Sequence, residues 1–203
     1  MIGIIDYGLG NIRAFERVYN DLNFPTLRVK SEDELKKVTH IILPGVSSFD
    51  LCLKKLRESG LEQPLNKEVK ENKKFILGVC VGMQIMGKTS EEGDANGLGW
   101  IPGKVIKLPS DRKKYRVPHI GWNKVKVTRK NWLDVVDNKK FYFLHSYYFL
   151  PEQKINELAS TKFSVCFSSA ISIKNIFGVQ FHPEKSFDAG RSLLKSFGEL
   201  SSA

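Results

Sequence analysis

Two short segments of this 203-residue chain carry residue types that cooperate in attack on a carbonyl carbon. The first is Gly78-Val79-Cys80-Val81-Gly82-Met83-Gln84, a G-x-C-x-G sequence lying between a buried apolar run and a helical pattern. This is the order of a nucleophile elbow with Cys in place of Ser. Glycines on both sides suit a turn that forces strained backbone angles and close approach of neighbouring elements. The thiol then stands at a helix start, where backbone N–H groups and the positive end of the helix dipole favour thiolate. A cysteine taken alone is more often a small buried packing residue; the flanking glycines and the strand-to-helix setting favour a nucleophile.

The second segment is Phe181-His182-Pro183-Glu184. It offers the base and the orienting carboxylate that a thiolate nucleophile needs. Pro183 is expected to keep the chain extended, so that His182 and Glu184 point the same way and the carboxylate fixes the imidazole tautomer. Cys80, His182 and Glu184 make a candidate catalytic triad. They lie far apart in the sequence, so only the fold can bring them together.

Other chemistries are disfavoured. The Asp6–Asn11 stretch contains G-x-G before a helix, but Arg13 stands where a dinucleotide-binding fingerprint needs its third glycine. His119, His145 and the cysteines lack metal-ligand spacing, and neither a metal nor a cofactor is expected. The chain has 32 Lys+Arg against 22 Asp+Glu, a net charge of +10. That surplus is spread in doublets such as Lys36-Lys37, Lys54-Lys55 and Lys113-Lys114, with acidic residues between, and forms no basic stripe for nucleic acid. No run reaches the roughly 18 apolar residues of a membrane span, and the N-terminus lacks a signal-peptide pattern. Three widely spaced cysteines, Cys52, Cys80 and Cys166, argue against a disulfide framework and fit a reducing compartment, the cytoplasm.

The elements that must position the triad follow from periodicity. Residues 1–5, 26–29, 40–43 and 74–79 read as buried strands, and helices begin at Asn11 and at Ser47 or Ser48, the latter reaching Glu58. Alternation of strand and helix implies a largely parallel sheet. After Gly99 the pattern shifts to period two over residues 104–108, 125–128, 141–144, 163–169, 170–173 and 177–181, which implies antiparallel strands. A helix over 188–200 closes the chain. The fold class is α/β: one domain over 1–203, a mostly parallel central sheet flanked by helices, with an added antiparallel layer.

G-V-C-V-G-M-Q and F-H-P-E-K-S, with D-Y-G-L-G-N, I-L-P-G-V, the S-E-E-G and G-L-G-x-I-P-G motifs of residues 90–103, P-H-I-G-W-N and F-Y-F-L-H-S-Y-Y, resemble the class I glutamine amidotransferases, whose fold is flavodoxin-like. More narrowly they resemble the glutaminase subunits that serve a separate synthase. The match runs from residue 1 to about 198. The resemblance implies that Cys80 attacks the side-chain amide of L-glutamine, that His182 moves the protons and that Glu184 orients it. It implies an oxyanion held by the Val81 N–H and by a second N–H from the Pro44-Gly45-Val46 loop. It places the substrate by Gln84 and the chain at His145, Ser146 and Tyr147. The implied partner is a (β/α)8 synthase subunit, in a heterodimer that receives the ammonia.

Several residues keep two readings. Asn11 is either a helix cap or a support of the oxyanion loop at the partner side. His119 and Trp122 are either core residues or, as the resemblance implies, part of the docking face, and Lys185 is either a surface lysine or a salt-bridge partner across that face. Ser47 and Ser48 replace the Gly and small residue usual after P-G-V, while Val81, Ile120 and Phe187 also depart from the usual types. The interface-side changes leave two partners in view, the histidine-pathway synthase and a paralogue that aminates a nucleotide sugar or surface polysaccharide. A silent scaffold of the same fold is a third reading, which the intact triad disfavours. A Cys peptidase would leave Gln84, H-S-Y-Y and P-H-I-G-W-N unexplained.

Overall fold

The computed structural model describes residues 1–111, 115–130 and 132–201; the Lys113-Lys114 doublet lies outside them. The first half is built of strand and helix units: β1 (Ile2–Ile5), α1 (Ile12–Asp21), β2 (Thr26–Val29), α2 (Glu32–Lys36), β3 (His40–Gly45), α3 (Phe49–Glu58), α4 (Glu62–Lys70), β4 (Phe75–Cys80) and α5 (Val81–Gln84). The second half is mostly strand: β5 (Thr89–Ser90), β6 (Gly103–Lys107), β7 (His119–Lys124), β8 (Lys126–Val127), β9 (Lys140–His145), β10 (Tyr147–Pro151), β11 (Glu157–Lys162), β12 (Cys166–Ile173) and β13 (Ile176–Val179), closed by α6 (Phe187–Gly198).

Eight strands form one sheet in the order β2-β1-β3-β4-β13-β12-β11-β8. The pairs from β2 to β13 are parallel and those from β13 to β8 antiparallel. The antiparallel component therefore both extends the central sheet and forms two smaller sheets, β10-β6-β5 and β7-β9. Strands β1, β3 and β13 are buried at every residue, as parallel strands covered on both faces must be. Helix α1 packs on α6, α2 on α4, and α3 on α5.

Two helices escape the sequence reading. Helix α2 is short, but Ser31 and Glu34 close a full capping box at its start. Helix α4 carries Pro64, which reads as a breaker yet sits in the first turn, where a missing N–H removes no helical bond. The predicted strands over 163–169 and 170–173 are one strand, β12, and only residues 163–165 leave it, as the turn of a hairpin. Phe163 N–H bonds the Val165 carbonyl at 2.9 Å, and β12 runs unbroken from Cys166 to Ile173 against β11. Phe163 leaves the ladder to stack on His119, with ring centres 4.1 Å apart.

An aromatic cluster bonds the β7-β9 sheet to the central one. Phe141 and Phe143 of β9 lie 4.2 and 5.6 Å from Phe181, which follows β13, and all three are fully buried. Because this cluster fixes β9 over the end of β13, Phe143→Ala should destabilise the protein by about 3–5 kcal/mol, the usual effect of deleting a buried ring. Urea denaturation measures it, and a loss below about 1 kcal/mol would show that β9 is held by other means.

Candidate active site

The elbow at the end of β4 is built as its glycines demand. Cys80 has φ 56° and ψ −113°, a strained conformation for a side-chain-bearing residue. A Cβ on Gly82 would overlap the Leu43 carbonyl oxygen, and one on Gly78 would press on the Gly82 carbonyl and the Met86 methyl. Strand β3 and the start of α5 thus pack backbone to backbone. Val81 is the first residue of α5, so its N–H has no intrahelical acceptor.

Strand β13 lies beside β4 in parallel register, Gly178 opposite Gly78 and Val179 opposite Val79. The chain leaving β13 therefore passes the sulfur. His182 N–H bonds the Tyr142 carbonyl at 2.9 Å, which ties this segment to β9. The expected extended run through Pro183 is instead a turn of 3-10 helix over Pro183–Lys185, with Pro in its first turn. The outcome is the predicted contact by another route: His182 Nδ1 donates to Glu184 Oε1 at 2.9 Å, with both side chains buried. Nε2 is left for the Cys80 sulfur, which lines the same cleft as the ring. Burial pulls the His182 pKa down. The hydrogen bonds and negative charges of Cys80 and Glu184 overcome that and hold it up at about 10.

Cys80 and His182 line a cleft of about 670 Å³, with Glu184 buried behind the ring. Asn11, Val46, Val81, Gln84, His145, Ser146, Tyr147 and Lys185 also line it, as do Leu144 and Pro118. Asn11 occupies the N-cap position of α1 but makes no side-chain cap bond, so its capping role is corrected. Ser48, by contrast, caps α3 by accepting from Leu51 N–H. Val46 is half exposed and stands at the rim of the cleft. Burial pushes the Cys52 thiol up to about 11. Behind the same loop Tyr7 Oη donates to the Pro44 carbonyl at 2.6 Å.

Beneath the cleft a chain of neutral side chains is fixed in direction. His145 Nδ1 meets the Tyr147 carbonyl at 2.9 Å, so it must carry the proton, and His145 Nε2 accepts from His119 Nδ1 at 3.0 Å. His119 is 3% exposed and stacks between Phe143 and Phe163. Its interface reading is corrected: along β7 it points inward while Ile120 and Trp122 point out. Burial lowers its pKa to about 4. For His145, burial outweighs the Tyr147 bond and lowers it to about 3.

Trp122 is 46% exposed and stacks on Phe187, itself 77% exposed, at 5.3 Å with the rings nearly parallel. Ile120 pairs with Leu144 across the β7-β9 ladder, both exposed. Lys185 lies 5.7 Å above the Tyr142 ring. Among the described residues it has no ion-pair partner. Sequence reasoning missed Gln180, which is fully buried with its amide nitrogen 3.7 Å from the Cys80 sulfur. The available signal was a polar residue inside the apolar run G-V-Q-F. It also missed Leu144, whose carbonyl lies 3.8 Å from that sulfur. Among the described residues no cluster of three His, Cys, Asp or Glu could hold a metal ion, and no helix is long and apolar enough to cross a membrane.

The family model for "Glutamine amidotransferase class-I" matches residues 4–198, and the chain belongs to that family. The fold agrees: a crystal structure of a glutamine amidotransferase superposes with a TM-score of 0.76 at 19% identity, covering 97% of this chain and 98% of that one. Among curated relatives, the imidazole glycerol phosphate synthase subunit HisH of Leptospira interrogans is 50% identical over 98% of this chain and all of its own length. That of Bdellovibrio bacteriovorus is 44% identical over 98% of this chain and all of its own, and HisH 2 of Methanococcus maripaludis is 43% identical over 97% and 98%. Within the amidotransferases, the group is that of the HisH subunits.

The site's charge pattern is directly readable. At pH 7 a two-bond ¹H–¹⁵N spectrum should show His182 as the imidazolium and His119 and His145 as neutral Nδ1–H tautomers. The stability contributions have opposite signs. His119 and His145, with lowered folded values, stabilise above 6.5 and lose that contribution as pH falls through about 4 and about 3. His182, with a raised value, stabilises below 6.5 and loses it as pH rises through about 10. A neutral His182 at pH 7 would contradict the pairing with Cys80 and Glu184.

Proposed function

We propose that Cys80, His182 and Glu184 hydrolyse the side-chain amide of L-glutamine and that the ammonia passes to a docked synthase subunit. The observation that carries this reading is the His182 ring, bonded through Nδ1 to Glu184 Oε1 at 2.9 Å, lining one cleft with the Cys80 sulfur. The thiolate attacks the amide carbon and forms a tetrahedral oxyanion. His182 gives its proton to the leaving nitrogen, and ammonia departs from a glutamyl thioester. The neutral ring then takes a proton from water as that water attacks the thioester, and collapse of the second oxyanion releases glutamate and returns the thiolate beside the imidazolium. Glu184 keeps Nδ1 protonated throughout, so that Nε2 does the transfer.

The Val81 N–H is the first oxyanion donor, and the Val46 N–H of the Pro44-Gly45-Val46 loop the second. Each donor of this kind is worth about 3 kcal/mol of barrier. Gln84, His145, Ser146 and Tyr147 form the wall against which the substrate lies. His145 shapes that wall through its bond to the Tyr147 carbonyl and carries no charge there.

The 203 residues are read as one amidotransferase domain, with no second domain among them for an acceptor. The partner is a (β/α)8 synthase subunit that receives ammonia in histidine biosynthesis, as the "subunit" in the relatives' names supports. Its seat is the exposed face of Ile120, Trp122, Leu144 and Phe187, which adjoins the cleft at Leu144 and carries Lys185 and Asn11 at its edge. Exposed aromatics of this kind anchor interfaces. Three free cysteines support a reducing compartment, the cytoplasm.

Cys80→Ala should abolish glutamate release from glutamine while leaving assembly with the synthase subunit intact; retained turnover would remove Cys80 from the mechanism. Trp122→Ala should weaken assembly at least about tenfold in titration calorimetry while shifting the thermal midpoint little. Unchanged affinity would place the docking face elsewhere.

A further inference from the structure

The Cys80 sulfur has neighbours that pull its proton in opposite directions. The Leu144 carbonyl, 3.8 Å away, can only accept, and so favours the neutral thiol. The Gln180 amide nitrogen, 3.7 Å away, can only donate, and so favours the thiolate. Which end of the Gln180 amide faces the sulfur is settled by a chain of bonds that starts at the backbone. The Tyr147 carbonyl accepts from Gln84 Nε2 at 2.9 Å, which fixes the NH₂ end of Gln84 on that side. The same NH₂ group donates to Gln180 Oε1 at 3.0 Å. With its oxygen committed to Gln84, Gln180 has only its NH₂ end left for Cys80. Gln84 is 2% exposed and Gln180 fully buried, so water does not compete for either amide.

Resting on the reading of Cys80 as nucleophile, we infer that Gln180 is a positioning residue for it: an amide turned by Gln84 and Tyr147 so that an N–H always bears on the sulfur. The bond holds the thiolate without adding a second titrating group to the site. It also gives Gln84 a second task, since one NH₂ group serves both the Tyr147 carbonyl of the cleft wall and the amide behind the sulfur. The charged and titratable groups around the sulfur are His182, with Glu184 behind it, the buried Tyr7 and Cys52 on the loop side, and Glu92, His145, Tyr147 and Lys185 on the cleft. Gln180 is uncharged, so its effect on the sulfur is separable from theirs.

Two substitutions test this. Gln180→Glu keeps the shape and still accepts from Gln84, but puts a carboxylate oxygen in place of the donor. Gln180→Met keeps the bulk and removes both functions. The readout is the rate of Cys80 alkylation by iodoacetamide across pH, followed by peptide mass spectrometry so that Cys52 and Cys166 do not interfere. At neutral pH the Glu variant should react about tenfold more slowly than the unaltered protein and the Met variant less so, since hydrogen bonds to charged groups are among the stronger ones. Both should recover the unaltered rate at alkaline pH, with the midpoint of the profile moved up. An unchanged profile in the two variants overturns the inference, and so does an equal loss at every pH, which marks a packing role only. If Gln180→Glu does not fold, the Met profile decides alone. The measurement needs no glutamine turnover, so a failure of the glutaminase reading is visible separately in the activity assay.

Discussion

The register between β4 and β13 is the constraint on which the site depends. With Val79 opposite Val179, the residues that follow each strand leave the sheet side by side, Cys80 into an elbow and Gln180 to His182 past it. Side chains alternate along a strand, so a slip of one residue would send Gln180 and His182 to the opposite face from the sulfur. Gly178 has no room for a side chain against Met83, and Gly78 none against the Gly82 backbone. The small residues that let α5 sit against the sheet thus also discriminate against the neighbouring registers.

Around that seam the protein segregates charge. The imidazolium of His182 is compensated from both sides, by a carboxylate and by sulfur, and both partners are buried with it. The two histidines beneath the cleft are kept neutral by aromatic packing and by a one-way series of donors and acceptors. Three imidazoles within one site are therefore held in two protonation states by surroundings alone. A buried polar chain of this kind is favourable only when every link is satisfied. Here Asn123 extends it beyond His119 to the Lys162 carbonyl at 2.9 Å, which joins β7 to the end of β11.

Much of this was legible in the sequence, for physical reasons that differ between residues. The buried strands β1, β3 and β4 announce themselves because both their faces are covered and they carry unbroken apolar runs. Cys80 and His182-Glu184 were legible because glycine and proline punctuate them. Helix α4 was hidden by a proline whose position in the first turn is harmless. The β11-β12 hairpin was hidden because Phe163 and Val165 continue an apolar pattern while the backbone reverses. His119 was misassigned because a motif beside an exposed tryptophan says nothing of the alternation that buries one residue and exposes the next but two.

Leu144 joins two worlds through a single residue. Its side chain belongs to the outward apolar face with Ile120 and Trp122, and its carbonyl oxygen lies against the Cys80 sulfur. Pressure applied to that outer wall has only one amino acid to traverse before it reaches the thiol, and the carbonyl it would displace is the group that steadies the unreactive form. The outward wall and the sulfur are thereby separated by a single residue of β9, with no element of the core between them.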